Sequence, residues 1–103
     1  MRDPELILSM LSQMAANNDG RLKFIRHMGM SDQEQIKAHH LELLADAGLI
    51  EWWENQLPRI TNQGYDFIEA VNKNPDSKKV FLDRLNAGIP LLQAVLAALN
   101  LLA

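Results

Sequence analysis

Apolar residues recur along most of the chain at the three- and four-residue spacing of amphipathic helices, with one stretch that alternates instead. Asp3-Pro4-Glu5 reads as a helix start. Asp3 caps, Pro4 fits the first helical position, and Glu5 favours the positive end of the helix dipole. Ile7, Met10, Leu11 and Met14 then share one face, and Asn17-Asn18-Asp19-Gly20 supplies the turn chemistry that stops the helix. Arg21 to Met30 reads two ways. Leu22 and Phe24 alternate as in a short strand, whereas Phe24, Ile25 and Met28 would line a short helix closed by Gly29. Ser31 with Glu34 three residues later has the spacing of a capping box. The helix it opens runs to about Ala47, with Ile36, His40, Leu43, Leu44 and Ala47 on the buried face. Gln35, Ala38, Glu42 and Asp46 fall on the open face, flanked by Gln33, Lys37 and His39.

Gly48 then supplies the left-handed conformation that a helix C-terminus favours. Leu49 to Glu54 reads as a strand, Asn55-Gln56 as a turn, and Leu57-Pro58-Arg59-Ile60 as the returning strand, with Pro58 acceptable only at an edge. Thr61 can cap a helix that holds Tyr65, Phe67, Ile68, Ala70 and Val71. Asn72-Lys73-Asn74-Pro75 ends it, Asp76 or Ser77 opens a short helix with Val80, Phe81 and Leu85, and Pro90 starts a final one. The expected architecture is mainly α with a small β-hairpin: a winged helix-turn-helix over 1–74 followed by a C-terminal helical extension over 75–103. A recognition helix passing through Ala47-Gly48-Leu49-Ile50 straight into a hairpin carries that expectation.

Four blocks also resemble an uncharacterised winged-helix family of bacterial and phage proteins: Met1 to Ile7, Gly29 to Asp32, His40 to Ile50, and Arg59 to Ala70. The His40–Ile50 block is similar to the recognition helix of small bacterial winged-helix repressors. The resemblance implies a fold and a mobile-element setting, and it implies no activity. Two departures stand out: the segment between Ser31 and His40 is longer than the pattern, and the wing is short.

Composition narrows the functional classes. The chain has 103 residues, 48% of them hydrophobic, and 22% charged, so one domain with a modest core is expected. Cysteine is absent, which excludes disulfides, thiol catalysis and Cys-based metal sites and permits a reducing cytoplasm, the expected location. Met1-Arg2-Asp3-Pro4-Glu5 lacks the apolar core of a signal peptide. A net charge of −3 argues against a general polyanion binder.

The basic residues nevertheless outline a candidate DNA surface. Arg21, Lys23, Arg26 and His27 cluster before the capped helix, and with Arg59 they would neutralise phosphates. Gln33, Gln35, Lys37 and His39 would meet the groove, although Glu42 and Asp46 oppose it from the open face. The competing explanation is a scattered, solvated set of charges. His39 and His40 are adjacent and so point about 100° apart on a helix, which does not suit a shared metal. His40 reads as a satisfied core histidine and His39 as exposed. Trp52 and Trp53 face opposite sides of a strand, one toward the core and one outward unless the C-terminal helices cover it. Met10, Met14, Met28 and Met30 read as core filling.

The final segment is too apolar to stand alone. Leu92, Val95, Leu99 and Leu102 repeat with 3-4-3 spacing and suit pairing between two chains, with packing onto the chain's own domain as the alternative. It is too short for a membrane span, which needs about 20 residues. Ser9, Ser31, Ser77, Thr61 and the three histidines form no triad spacing, and no glycine-rich phosphate loop exists, so neither an enzyme nor a cofactor is expected. The expected function is DNA binding as a homodimeric transcriptional regulator. The rival is a protein-interaction module on the same scaffold, favoured by the acidic Glu42 and Asp46.

Overall fold

A computed structural model of the chain describes residues 2–100. The first helix, α1, spans Pro4–Ala16. Asp3 caps it as expected, its carboxylate accepting from the backbone N–H groups of Glu5 (3.1 Å) and Leu6 (3.2 Å). Ile7, Met10, Leu11 and Met14 are all buried on one face. Beyond Gly20, only Arg21 joins a sheet, through an isolated antiparallel bridge to Arg59. Residues 22–31 form neither helix nor strand. Leu22 and Phe24 are half-buried while Lys23 and Ile25 are exposed, so the segment keeps the two-residue period of an extended chain. It finds no further partner after the Leu22 N–H has bonded the Pro58 carbonyl. The helical alternative fails, and Met28, expected in the core, is 98% exposed in the turn with Gly29.

The second helix, α2, spans Asp32–Asp46, and the Ser31–Glu34 capping box is formed in both directions. None of residues 32–37 is buried, so α2 projects its first turns past the core. Ile36, expected inside, is therefore half exposed. Ala38, expected on the open face, is buried with His40, Leu41 and Leu44, and Leu43 is only half-buried. The helix ends in a Schellman motif: Gly48 (φ 77°) donates to the Ala45 carbonyl and Leu49 to the Leu44 carbonyl.

The chain then enters β1 (Ile50–Glu51), which pairs antiparallel with β2 (Arg59–Ile60). The hairpin was expected to pair over a longer stretch. Its ladder stops after the Glu51–Arg59 pair because Trp52 to Pro58 peel away into a loop turned at Asn55 (φ 64°). Thr61 caps α3 (Asn62–Lys73), accepting from the Gly64 N–H. The Thr61 hydroxyl donates to the Gly48 carbonyl at 2.7 Å, and its N–H to the Leu49 carbonyl. Asn74, not Asp76 or Ser77, caps α4 (Pro75–Asn86). Ser77 is fully buried instead, its hydroxyl donating to the Ala98 carbonyl at 3.1 Å. The last helix, α5, spans Leu91–Asn100.

The molecule is mainly helical, with five helices and a small two-stranded antiparallel sheet among the described residues. One core runs from Ile7 on α1 through Leu44, Leu49, Ile60 and Phe67 to Phe81 on α4 and Val95 on α5. Phe67 and Phe81 meet edge to face at 4.8 Å between ring centres. The C-terminal helices thus complete the same core as the elements before them. This divides the expected pairing stripe: Val95 is fully buried, Leu99 is half-buried and Leu92 is 41% exposed. Leu102 lies outside the described residues. The inward face is built from Leu91, Ala94, Val95 and Ala98, where alanines allow close approach to α4. The Arg2 guanidinium closes this end by donating to the carbonyls of Leu85 (3.2 Å) in the last turn of α4 and Ile89 (2.6 Å) just beyond it.

Two substitutions probe this architecture. A Cβ on Gly64 would lie 2.3 Å from the Leu49 carbonyl oxygen, so Gly64→Ala must push the turn before β1 away from α3. It should cost about 2 kcal/mol or more, read as a lowered urea midpoint. Val95→Asp buries an unpaired carboxylate and should abolish cooperative unfolding, whereas Leu96→Asp, at a site 44% exposed, should leave the circular-dichroism melt nearly unchanged. Equal effects of the two would place the wrong face of α5 against the core.

Candidate functional site

A concavity lies between the irregular loop after Arg21 and the tip of the hairpin. It is a groove of about 860 Å³, lined by Ile25 and Arg26 on one wall and by residues 52–57 on the other. The walls are held apart and held in place by Arg26. Its guanidinium lies 3.9 Å from the centre of the Trp52 ring, a cation–π contact, and bonds the Glu42 carboxylate on α2 at 2.6 Å. Phe24 meets the same indole edge-on at 5.9 Å. Trp52 therefore faces the core, as the alternation predicts, under Phe24 and Arg26 and not under the C-terminal helices. Trp53 is 64% exposed on the hairpin wall, and Ile25 is 70% exposed on the other. The sequence predicts one outward tryptophan of the pair without saying which, and it misses Ile25, because the local pattern allowed Ile25 to lie on a buried helical face.

The basic residues expected to form a phosphate surface are mostly engaged within the chain. Arg26 is paired with Glu42, and Arg59 with Glu51 across the hairpin at 3.4 Å. Arg21 donates to the Leu57 carbonyl at 2.7 Å and so ties the hairpin loop to the first bridge. Lys23 and Lys37 are exposed and make no ion pair among the described residues.

The α2 residues do not share a face. At about 100° per residue, Gln33 and Lys37 fall on one side and Gln35 and His39 on nearly the opposite side. The first pair continues the stripe of His40, Leu41 and Leu44, and the second continues that of Glu42 and Asp46. Gln35 also spends its amide on the Met30 carbonyl at 3.1 Å. A groove of nucleic acid would meet one pair or the other.

The three histidines have separate environments. His40 is buried, with Nδ1 2.7 Å from the Ile36 carbonyl and Nε2 accepting from the Asp3 N–H at 2.8 Å. That is a satisfied neutral ring with the proton on Nδ1, binding the start of α1 to α2. His39 is exposed. His27 contacts Glu34 at 2.9 Å and the Met28 carbonyl at 2.9 Å. The Glu34 hydrogen bond and the Met28 carbonyl raise the His27 pKa above its ordinary value of 6.5. In return His27, with the Ser31 backbone and hydroxyl, lowers that of Glu34 to about 2. Among the described residues no three His, Asp or Glu side chains converge on a metal position, and no helix is long and apolar enough to cross a membrane.

Comparisons with family models, with curated proteins and with solved structures return no match. The winged-helix resemblance rests on the sequence blocks alone.

Arg26 is the organising side chain of the groove, and its removal is measurable. Arg26→Ala should cost about 1 kcal/mol in denaturant unfolding, since both of its contacts are partly exposed, and should shift the Trp emission as Trp52 loses its cover. Arg26→Lys should recover only part of this, because an ammonium does not stack and fork as a guanidinium does. Full recovery by lysine would mean that the Trp52 contact contributes nothing.

Proposed function

We propose that this chain is a protein-interaction module on a winged-helix-like scaffold, and that the groove beside Trp53 receives an extended, largely apolar segment of another protein. The observation that carries the reading is the pairing of Trp53 and Ile25, both well over half exposed, on opposite walls of one groove. Monomeric surfaces seldom leave two such side chains facing one concavity, and tryptophan is enriched at the centres of interfaces. The internal neutralisation of Arg26 and Arg59 and the net charge of −3 favour the same reading over a polyanion partner. The antiparallel hairpin leaves Asn55 and Gln56 at the rim, where side-chain amides suit the carbonyls of an incoming chain.

DNA binding, as a regulator of a phage or mobile element, is the second reading. It is favoured by the free Lys23 and Lys37 and by the projecting first turns of α2, which carry Gln33. In that reading Arg21, Arg26 and Arg59 act on phosphates only after giving up their present partners. Pairing of two copies would use Leu92, Leu96 and the half-buried Leu99, the outward residues of α5.

Selection of peptides from a random library on the immobilised protein separates the readings. Enriched peptides should be apolar at two or more positions, and Trp53→Ala should weaken them at least tenfold while leaving the thermal melt unchanged. Duplex DNA titrated by anisotropy at 50 mM salt should show no saturable binding. Peptides indifferent to Trp53, together with DNA binding whose salt slope falls on replacing Lys23 and Lys37, would reverse the assignment.

A further inference from the structure

The loop that forms the first wall of the groove has three attachments. At its start the Leu22 N–H bonds the Pro58 carbonyl. In its middle Arg26 sits between Trp52 and Glu42. At its end His27 reaches the first turn of α2. The third attachment differs from the others in its demand for protons. Nδ1 of His27 faces the Met28 carbonyl and Nε2 faces a Glu34 carboxylate oxygen, each at 2.9 Å. Both facing groups are acceptors. A neutral imidazole has one N–H and one lone pair, so one of the two contacts would set a lone pair against an oxygen. Only the imidazolium satisfies both.

Glu34 is committed in a complementary way. Its Oε1 accepts from the Ser31 N–H at 3.1 Å to complete the capping box, and its Oε2 takes His27. The helix cap thus fixes the carboxylate independently of the histidine, and the charge waits for the ring. Other charged or titratable groups on the segments that meet here are Lys23 and Arg26 on the loop, Asp32, Lys37, His39, Glu42 and Asp46 on α2, and Glu54 across the groove. Of these, Arg26 and Glu42 satisfy each other, and Glu34 is the carboxylate within ion-pair distance of the ring among the described residues.

We propose that His27 is a proton-operated latch on the groove: protonated, it ties the loop wall to the capped end of α2, and deprotonated, it releases residues 27–30 and loosens the wall that carries Ile25. This regulation rests on the docking reading of the groove, while the latch itself is testable on the free protein. The sign follows from the two partners. The His27 pKa is raised, so the tie is fully present below the ordinary value of 6.5 and is lost as pH rises through the raised value. The Glu34 pKa is lowered to about 2, so the tie is present above its ordinary value of 4.5 and is lost as pH falls toward 2. The latch is closed between those limits and opens on the alkaline side as pH rises through the raised His27 value.

The test is a proton NMR titration from pH 5 to 9 on the full chain. In the native protein the His27 ring should titrate with a midpoint above 6.5, and the Ile25 methyl and Trp53 indole signals should follow the same midpoint. In Glu34→Gln, which keeps an N3 side chain able to cap, helix content should persist and the His27 midpoint should fall by half a unit or more. In His27→Gln the Ile25 and Trp53 signals should stop titrating in this range. A native His27 midpoint at or below 6.5, or Ile25 and Trp53 signals that ignore it, overturns the latch. Should the coupled titration hold while no peptide binding depends on Trp53, the latch stands and the docking reading fails.

Discussion

The fold depends on one crossing of backbone, where the end of α2 meets the start of α3. Gly48 turns the chain with a positive φ, and Leu49 follows as a fully buried side chain. Thr61 then grips this turn twice, hydroxyl to the Gly48 carbonyl and N–H to the Leu49 carbonyl, while the same hydroxyl oxygen caps α3 at Gly64. The α3 backbone lies so close to the Leu49 carbonyl that residue 64 has no room for a side chain. The carbonyls of Leu44, Ala45, Gly48 and Leu49 and the Gly64 N–H all find partners inside this knot, so two strands of two residues suffice as a sheet. The hairpin is short because the knot, not the ladder, fixes its direction.

From that knot the hairpin loop is aimed back toward the loop after Arg21, and the groove results. The two loops would drift apart without a cross-tie, since their last backbone bond is Leu22 to Pro58. Arg26 provides it, using its planar face on Trp52 and its edge on Glu42. A residue that looks like a phosphate contact in the sequence is thereby consumed in building a wall. The acidic Glu42, which looks out of place on a base-reading helix, is the other half of that tie. The Arg26–Glu42 charge pair serves local geometry, and Ile25 and Trp53 are the large apolar side chains left exposed in the groove.

Much of the fold was legible in the sequence because its signals are local. The Asp3, Ser31 and Thr61 caps, the Gly48 turn and the faces of α1 and α3 depend on residues within one or two turns of each other. The failures are long-range. Whether Leu22 to Met30 would be helix or strand depended on a partner segment, Trp52 to Pro58, that peels away before β2, thirty-odd residues further on. Ile36 and Ala38 exchanged places because burial on α2 begins only at Ala38, near where His40 meets the start of α1, which no helical period announces. The Val95 stripe was legible as apolar but not as inward, since α5 is apolar on more than one face and only the alanines distinguish the packed side. At the candidate site, residue types were visible and their pairings were not: Arg26 with Glu42 lies sixteen residues apart, with no periodicity to signal it.

Arg26 is occupied in the free protein, between Trp52 and Glu42, and the shape of the groove depends on it. The most direct test of that occupancy is the NMR spectrum of the Arg26 side chain at 150 mM salt. Stacking on Trp52 at 3.9 Å predicts upfield ring-current shifts for the Arg26 side-chain protons, with nuclear Overhauser contacts to the Trp52 indole and to Phe24. Random-coil shifts for Arg26, without contacts to either ring, would contradict it and return the guanidinium to the surface as a free charge.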